Sequence, residues 1–173
     1  MSFIQSKVFV RQAEISDLSS LIWVSMSCTN EEERRGFGKP VEERIFGSME
    51  NLTAAIKSRT FRIDDASVAE FNGKVVGYVI LENHEDSIEL VDIAVAGPFQ
   101  KQGVGKKMVE FVEARTRVQG KSAVTLGTSR STTGIPWKSV EWWKHLGFRE
   151  TGEERNEWTR SFGGSEIRMR KDL

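Results

Sequence analysis

The feature that most constrains this chain is a glycine-rich turn between an apolar strand pattern and a helical pattern. The run "SIELVDIAV" (residues 87–95) has strand length, and "VEFVEARTRV" (109–118) has helical spacing. The intervening "AGPFQKQGVGKKM" (96–108) carries three glycines and three lysines. A turn of this kind at a helix start directs unpaired backbone N–H groups and the positive end of the helix dipole at one point. The pattern therefore predicts a phosphate-binding turn in an α/β protein.

Around this unit the chain reads as alternating strands and helices. "SVAEF" and "KVVGYVIL" flank Asn72-Gly73, a pair that predicts a two-residue type I′ hairpin. Further strands are predicted in "KVFVRQA", "SAVTLGTS", "FRETGEER" and "SEIRMRKDL". A helix is predicted over "EISDLSSLIWVSMSC", a loop over "NEEERRGFGKP", and one or two helices over "PVEERIFGSMENLTAAIKS". The first helix is expected to bury one face made of Ile15, Leu18, Leu21, Ile22 and Met26.

Composition excludes several classes of protein. At 173 residues, a single domain spanning residues 1–173 is expected. The 25 basic and 25 acidic residues balance, which argues against bulk electrostatic binding to nucleic acid or a membrane. With one cysteine (Cys28) and two histidines (His84 and His145), neither a disulfide framework nor a metal site is expected. No apolar run approaches the length of a membrane span, so a cytoplasmic location is expected.

The glycine spacing decides between kinds of phosphate-binding turn. The P-loop pattern fails because Gln100 stands where its first glycine belongs and Lys107 where Ser or Thr belongs. The dinucleotide pattern fails because Met108 occupies its last glycine position. The pattern that fits is Gln-x-x-Gly-x-Gly, formed by Gln100, Gly103 and Gly105.

On these residues the chain resembles the GNAT superfamily of acetyl-CoA-dependent N-acetyltransferases. "VFVRQAEISDLSSL", "VAEFNGKVVGYVIL" and "WWKHLGFRETG" are similar to other signatures of that family, in its order. The likeness covers residues 8–23 and 67–172 but not residues 29–60. It implies an α/β (α+β) fold with a central mixed, mostly antiparallel sheet of about seven strands flanked by helices.

The resemblance also implies the cofactor and its site. Acetyl-CoA is the expected co-substrate, with its pantetheine arm along Ile93, Ala94 and Val95. The amine acceptor attacks the thioester directly in a ternary complex, so no nucleophilic side chain and no metal are expected. The other residues expected to contact the cofactor are Gln100, Lys101, Gln102, Gly103, Val104, Gly105, Lys106 and Ser139.

Two carboxylates are the candidate proton acceptors, Glu89 and Asp92. Strict strand alternation places Glu89 on the face of Val91 and Ile93, and Asp92 on the opposite face. Glu89 is either the catalytic base or a solvated charge at the end of a strand. Asp92 is either a structural residue with a partner or a functional one.

Other positions depart from the family pattern and leave the acceptor open. Trp143 stands where many members carry a tyrosine that protonates the thiolate, and the only tyrosine is Tyr78. The turn is similar to that of enzymes that acetylate the N-terminus of ribosomal proteins, but Gly127 stands where those enzymes carry a glutamate. A small amine, a peptide or protein N-terminus and a lysine therefore remain as acceptors, and a homodimer is possible. The competing hypothesis is a non-catalytic module that binds acyl-CoA. Trp137, Trp142 and Trp143 either line a substrate slot or belong to the core.

Overall fold

A computed structural model of the protein describes residues 8–28 and 41–173. A seven-stranded sheet runs through this part of the chain in the order β1-β2-β3-β4-β5-β7-β6. The β4–β5 pair is parallel, and the other five pairs are antiparallel. This is the predicted mixed, mostly antiparallel sheet. The strands are β1 (Val8–Gln12), β2 (Ala66–Phe71), β3 (Lys74–Asn83), β4 (Ser87–Val95), β5 (Ala123–Arg130), β6 (Arg149–Glu154) and β7 (Ser165–Asp172).

The α-helices within the described ranges flank this sheet. They are α1 (Leu18–Ser27), α2 (Met49–Lys57), α3 (Val104–Val118), α4 (Ser139–His145) and α5 (Glu157–Arg160). Two short 3₁₀ turns precede α2, which accounts for the helical pattern predicted in that charged segment. The loop predicted over residues 30–40 lies outside the described residues.

The face predicted for α1 is wrong in part. Leu21 and Val24 are fully buried, whereas Ile15 is 73% exposed and Met26 is 55% exposed. Ile15 lies in a 3₁₀ turn before the helix, so it does not follow the helical period that begins at Leu18. The buried stripe instead ends at Cys28, which is buried as expected.

The hairpin between β2 and β3 forms as its sequence predicts. Asn72 and Gly73 have φ angles of 51° and 77°. Both central residues of a type I′ turn need a positive φ, and Asn-Gly reaches it at little cost. The hairpin places β3 beside β4, which carries most of the site.

The connection from β4 to β5 passes through α3 and creates the central feature of the fold. Val104, Met108, Val109 and Val112 of α3 are buried against the sheet, as the sequence predicts. The recorded β4–β5 pairs end at Leu90 and Leu126. Beyond that point β4 stays with β3, and β5 stays with β7, through Arg130. The sheet therefore opens between two parallel strands, directly before the start of α3.

Candidate active site

A cleft of about 820 Å³ lies where β4 and β5 separate. One wall is β4 from Glu89 to Val95, and the other includes β5 from Leu126 to Thr128. Four tryptophans also line it: Trp137, Trp142, Trp143 and Trp158. The structure thus brings together the strand, Gln100 of the turn and the three tryptophans that the sequence singled out, and it adds Trp158, which the sequence analysis missed.

The second half of β4 offers a strand edge to this cleft. Gly77 to Ile80 of β3 pair with one edge of Asp92–Val95, and the pairing with β5 ended at Leu90. Ile93 and Val95 pack towards α3, and Ala94 is buried beside Tyr78. An extended ligand with amide groups can add to such an edge as a further strand.

The glycine-rich turn leads into α3 with backbone N–H groups available. The helix ladder begins with the bond from Lys107 N to Gly103 O, so the N–H groups of residues 104–106 precede it. Gly103 has a φ of 82° at the helix N-cap, a conformation that only glycine adopts without strain. Lys101 also has a positive φ, 60°. This curl turns successive N–H groups to one side, as a phosphate site requires.

The two glutamines of the turn use their side chains on the turn itself. Gln100 Nε2 donates to Val95 O at 2.9 Å, and Gln102 Nε2 donates to Pro98 O at 2.9 Å. These bonds hold the turn against the end of β4. Any role of Gln100 or Gln102 in binding a phosphate therefore falls to their backbone groups.

Helix α4 lines the cleft beside the turn. Ser139 lines the cleft at the start of α4, with Oγ 3.1 Å from Thr128 Oγ1. A Cβ at Gly105 would lie 3.3 Å from Trp142 Cζ2. The second glycine of the motif thus allows the first turn of α3 to approach Trp142 closely.

A β-bulge at Val91 changes which side chains of β4 share a face. Ile80 pairs with Asp92 and Leu81 with Leu90, so Val91 is the extra residue. Leu90 and Ile93 consequently pack in the same cluster with α3. Glu89 and Asp92 both lie on the other face, so the alternation that separated them is wrong.

Glu89 is held by two basic side chains. Its Oε1 accepts a hydrogen bond from Arg168 Nη1 at 2.9 Å, and its Oε2 lies 2.9 Å from His84 Nε2. Burial by itself raises the pKa of the Glu89 carboxyl, but the bonds from Arg168 and His84 outweigh it and lower the pKa. Glu89 is therefore ionised in the structure. It is a partly buried, paired charge and not a solvated charge at the end of a strand.

Asp92 contacts the one tyrosine of the chain. Tyr78 Oη donates to Asp92 Oδ2 at 3.0 Å, and Tyr78 is 1% exposed. Burial, and then the Asp92 charge, raise the pKa of Tyr78 well above its usual value. Tyr78 thus remains a neutral phenol in the wall of the cleft, while Asp92 faces the open space.

Sequence reasoning missed three residues on the same face. Arg168 Nη1 donates to Glu89 and, at 3.0 Å, to Glu166 Oε1. Asn156 Nδ2 donates to Glu166 Oε2. Alternation in "SEIRMRKDL" places Glu166 and Arg168 on one face, but nothing in the sequence shows that β7 lies beside β5 rather than at an edge.

Trp143 is a core residue as well as a cleft residue. It is 4% exposed, and its ring centroid lies 5.2 Å from that of Phe148 and 4.5 Å from that of Trp142. Trp143 is therefore a core residue, as one reading of the sequence has it, and it also contributes to the cleft wall, while its role in a substrate slot stays a prediction. Trp142, by contrast, is 37% exposed.

Replacing Trp143 with tyrosine is expected to lower stability by about 1–3 kcal/mol, because a smaller ring leaves buried space beside Phe148. Turnover below the melting temperature should be unchanged or modestly raised, since the new hydroxyl adds a proton donor. Melting curves and steady-state kinetics measure the two effects. Trp143→Phe is the matched control, with similar packing loss and no hydroxyl. A large loss of turnover with cofactor binding intact would show that Trp143 shapes the acceptor slot.

The ion pair between Glu89 and Arg168 predicts how the free energy of unfolding changes as the pH falls. A carboxyl with a lowered pKa in the folded state adds stability above its unfolded pKa, about 4.5. That contribution should shrink as the pH falls below this value and vanish below the folded pKa. Urea unfolding between pH 7 and pH 3 of the protein and Glu89→Gln measures it. A stability difference that stays constant across this range would mean that the ionised pair adds nothing.

The described residues contain neither a cluster of metal-ligating side chains nor a membrane-spanning helix. No group of three or more His, Cys, Asp or Glu side chains there is arranged to hold a metal ion. No helix among residues 8–28 and 41–173 is long and apolar enough to cross a membrane.

Comparisons with known proteins agree with this geometry. The chain is 30% identical over 105 residues to mouse (Mus musculus) N-acetyltransferase family 8 member 7, which is 56% of this chain and 44% of that protein. The chain spans less than half the length of the curated relatives it matches.

Solved structures share the fold. The ribosomal-protein-S18-alanine N-acetyltransferase of Escherichia coli has a TM-score of 0.68 at 19% identity, covering 96% of this chain and 94% of that one. The paia N-acetyltransferase of Thermoplasma acidophilum, in complex with coenzyme A, has a TM-score of 0.67 at 17% identity, covering 96% and 99%.

The family match covers the hairpin, β4, the glycine-rich turn, α3, β5 and α4. Residues 62–150, just over half of the chain, match the family described as acetyltransferase (GNAT) domain. This match spans β4, Gln100 of the turn, β5 and α4, which form a large part of the cleft lining. The chain belongs to the GNAT acetyltransferase family.

Proposed function

We propose that this protein is an N-acetyltransferase that moves an acetyl group from acetyl-CoA to a primary amine. The observation that carries the proposal is the separation of β4 from β5 directly before the N-terminus of α3. It gives the cleft a strand edge at Ile93–Val95 and the acidic side chains of Glu89 and Asp92, with the backbone N–H groups at the start of α3 following Gln100, another lining residue. The family match and the relative's name support the same activity.

The cofactor is assigned to the β4 side of the cleft. Its pantetheine amides pair with the edge at Ile93–Val95, and its pyrophosphate accepts from the backbone N–H groups of residues 101–106. The dipole of α3 stabilises the phosphate charge. Ser139, beside Thr128 in the opposite wall, lies within the cleft to contact the pantetheine arm.

The acceptor amine enters from the face that carries Glu89 and Asp92. The ammonium loses one proton, and its nitrogen attacks the thioester carbon, so a C–N bond forms and the carbonyl becomes a tetrahedral intermediate. As this intermediate collapses, the C–S bond breaks and the second nitrogen proton is lost. One of the two protons ends on the coenzyme A sulfur and the other in solvent. Holding both substrates together supplies about 7–11 kcal/mol of the rate acceleration.

Glu89 and Asp92 are the proposed proton acceptors in this scheme. Glu89, bonded to Arg168 and His84, acts through a water because it lies beside Thr125, where β4 and β5 still pair, and not at the opening between the strands. His84 is partly exposed and links Glu89 to solvent, which gives the proton a way out. Asp92 contacts the amine from beside Tyr78.

The leaving sulfur does not depend on a tyrosine at position 143. A free thiol has a pKa of about 8.5, so a coenzyme A thiolate is a tolerable leaving group near neutral pH. Tyr78 keeps its proton, since its pKa is raised, and its hydroxyl is committed to Asp92. Solvent completes the protonation.

Coenzyme A release from acetyl-CoA, measured with a panel of small amines, amino acids, peptides with free N-termini and lysine peptides, tests the activity. Acetylation of at least one class above the rate of hydrolysis supports it. Calorimetry on the same protein distinguishes an enzyme from the alternative, a module that binds acyl-CoA but transfers no acyl group. Tight acetyl-CoA binding with no turnover on any amine would favour that module.

A further inference from the structure

The space above Gly127 is filled by a side chain from the neighbouring strand. Gly127 of β5 pairs with Arg168 of β7, and Glu166 lies two residues before Arg168 on the same face. A Cβ built on Gly127 would overlap Glu166 Oε1 and lie 2.7 Å from Glu166 Cδ. The carboxylate of Glu166 therefore occupies the place that a side chain at position 127 would take.

This carboxylate is fixed in orientation and still reaches the cleft. Oε2 accepts from Asn156 Nδ2, and Oε1 accepts from Arg168 Nη1 at 3.0 Å. The Glu166 side chain is 12% exposed and lines the cleft. Two donors on a half-open carboxylate leave lone pairs for a third, so a ligand with N–H groups can still bind.

Glu166 and Glu89 lie at different points relative to the opening between β4 and β5. Glu89 pairs with Thr125, where β4 and β5 still run together. Gly127 is the first residue of β5 beyond the last recorded pair, Leu90 with Leu126. Glu166 thus places its charge over the opening between the strands, whereas Glu89 lies behind it.

The charge in this part of the cleft suits a cation. Among the described lining side chains are the carboxylates Glu43, Glu89, Asp92 and Glu166 and the guanidiniums Arg44 and Arg168. An alkyl amine resembles lysine, with a pKa near 10.4, so it arrives as an ammonium ion at neutral pH. An excess of negative charge raises its local concentration.

We propose that Glu166 binds the acceptor in its ammonium form, and that Arg168 and Asn156 are positioning residues for the Glu166 carboxylate. This inference rests on the proposed function. Glu166 forms and breaks no covalent bond in this role; it holds the ammonium at the opening, and proton removal follows elsewhere. The glycine at position 127 is the feature that admits this carboxylate from β7.

Two variants test the assignment by different routes. Glu166→Gln removes the charge and keeps the shape, whereas Gly127→Ala adds a methyl group that displaces the carboxylate and removes no charge. Each should lower kcat/KM for the amine by about 10–100-fold, the value of a hydrogen bond between charged groups. Affinity for acetyl-CoA should be unchanged. Gly152→Ala is the matched control, because a Cβ there meets nothing within 4 Å.

An uncharged acceptor separates ammonium binding from a structural role. The best amine of the panel is compared with its aminooxy analogue, in which O–NH₂ replaces CH₂–NH₂ and which is neutral at pH 7. Glu166→Gln should reduce the preference for the amine over the analogue by about tenfold or more. Equal losses on both acceptors, or no loss on either, would overturn the assignment of Glu166. Failure of the unaltered protein to acetylate any amine would instead refute the proposed function.

Discussion

Replacing Glu89 with glutamine is expected to lower turnover by about 10²–10⁴-fold, the range that a positioned general base supplies. Glutamine keeps the shape and a carbonyl that can accept from Arg168, but it cannot take a proton. Acetyl-CoA affinity should barely change, because Glu89 precedes the strand edge at Ile93–Val95 and lies outside the glycine-rich turn. Steady-state kinetics at saturating acetyl-CoA, with calorimetry for binding, measure both quantities.

The pH profile and a neighbouring variant make this result specific. The acidic limb of the rate should lose the ionisation of Glu89 in the variant. Asp92→Asn is the variant to compare with Glu89→Gln, because Asp92 shares the face of Glu89 and accepts a hydrogen bond from Tyr78. A Glu89→Gln protein that keeps most of its turnover would remove Glu89 from the mechanism and leave Asp92 or solvent as the base.

Replacing Gly103 with valine is expected to weaken acetyl-CoA binding at least tenfold, about 1.4 kcal/mol. Gly103 has a φ of 82°, and a β-branched residue resists that conformation. The turn must then relax, and the N–H groups of residues 101–106 no longer converge on one phosphate. Isothermal titration with acetyl-CoA measures the change.

Gly120 provides the control for backbone strain alone. It follows the other end of α3 with a φ of 69°, and a Cβ there also meets nothing within 4 Å. Gly120→Val should therefore lose similar stability but keep its affinity for acetyl-CoA. Equal affinities in Gly103→Val and the unaltered protein, both folded, would exclude the turn as the phosphate site.

The strands and the helix after the turn followed from sequence because local patterns determine them. Asn72-Gly73 selects its turn by backbone preference, and the apolar period of α3 selects its buried face. The glycine spacing at Gly103 and Gly105 identified the turn for the same reason. Each of these signals lies within a few residues of the structure that it predicts.

The acidic side of the site was not predictable in the same way. The bulge at Val91 depends on how β4 registers with β3, so simple alternation put Glu89 and Asp92 on opposite faces. The bond between Glu89 and Arg168 joins residues 79 positions apart in sequence. It exists only because β7 is inserted between β5 and β6, an arrangement that no local pattern encodes.

The bulge at Val91 shifts the alternation of side chains along β4 by one residue. Before it, odd-numbered positions such as Glu89 face away from α3; after it, even-numbered positions such as Asp92 do, so the strand keeps apolar groups against α3 on both sides of the extra residue. Substitutions at Val91, which is 53% exposed, leave this phase intact. Loss of the residue would leave it intact as well, because Leu90 and Asp92 would then be adjacent and would still pair with Leu81 and Ile80, so Glu89 and Asp92 would stay on one face. Position 91 thus tolerates both substitution and deletion, because the pairing of β4 with β3, and not the residue at 91, determines which face Glu89 and Asp92 share.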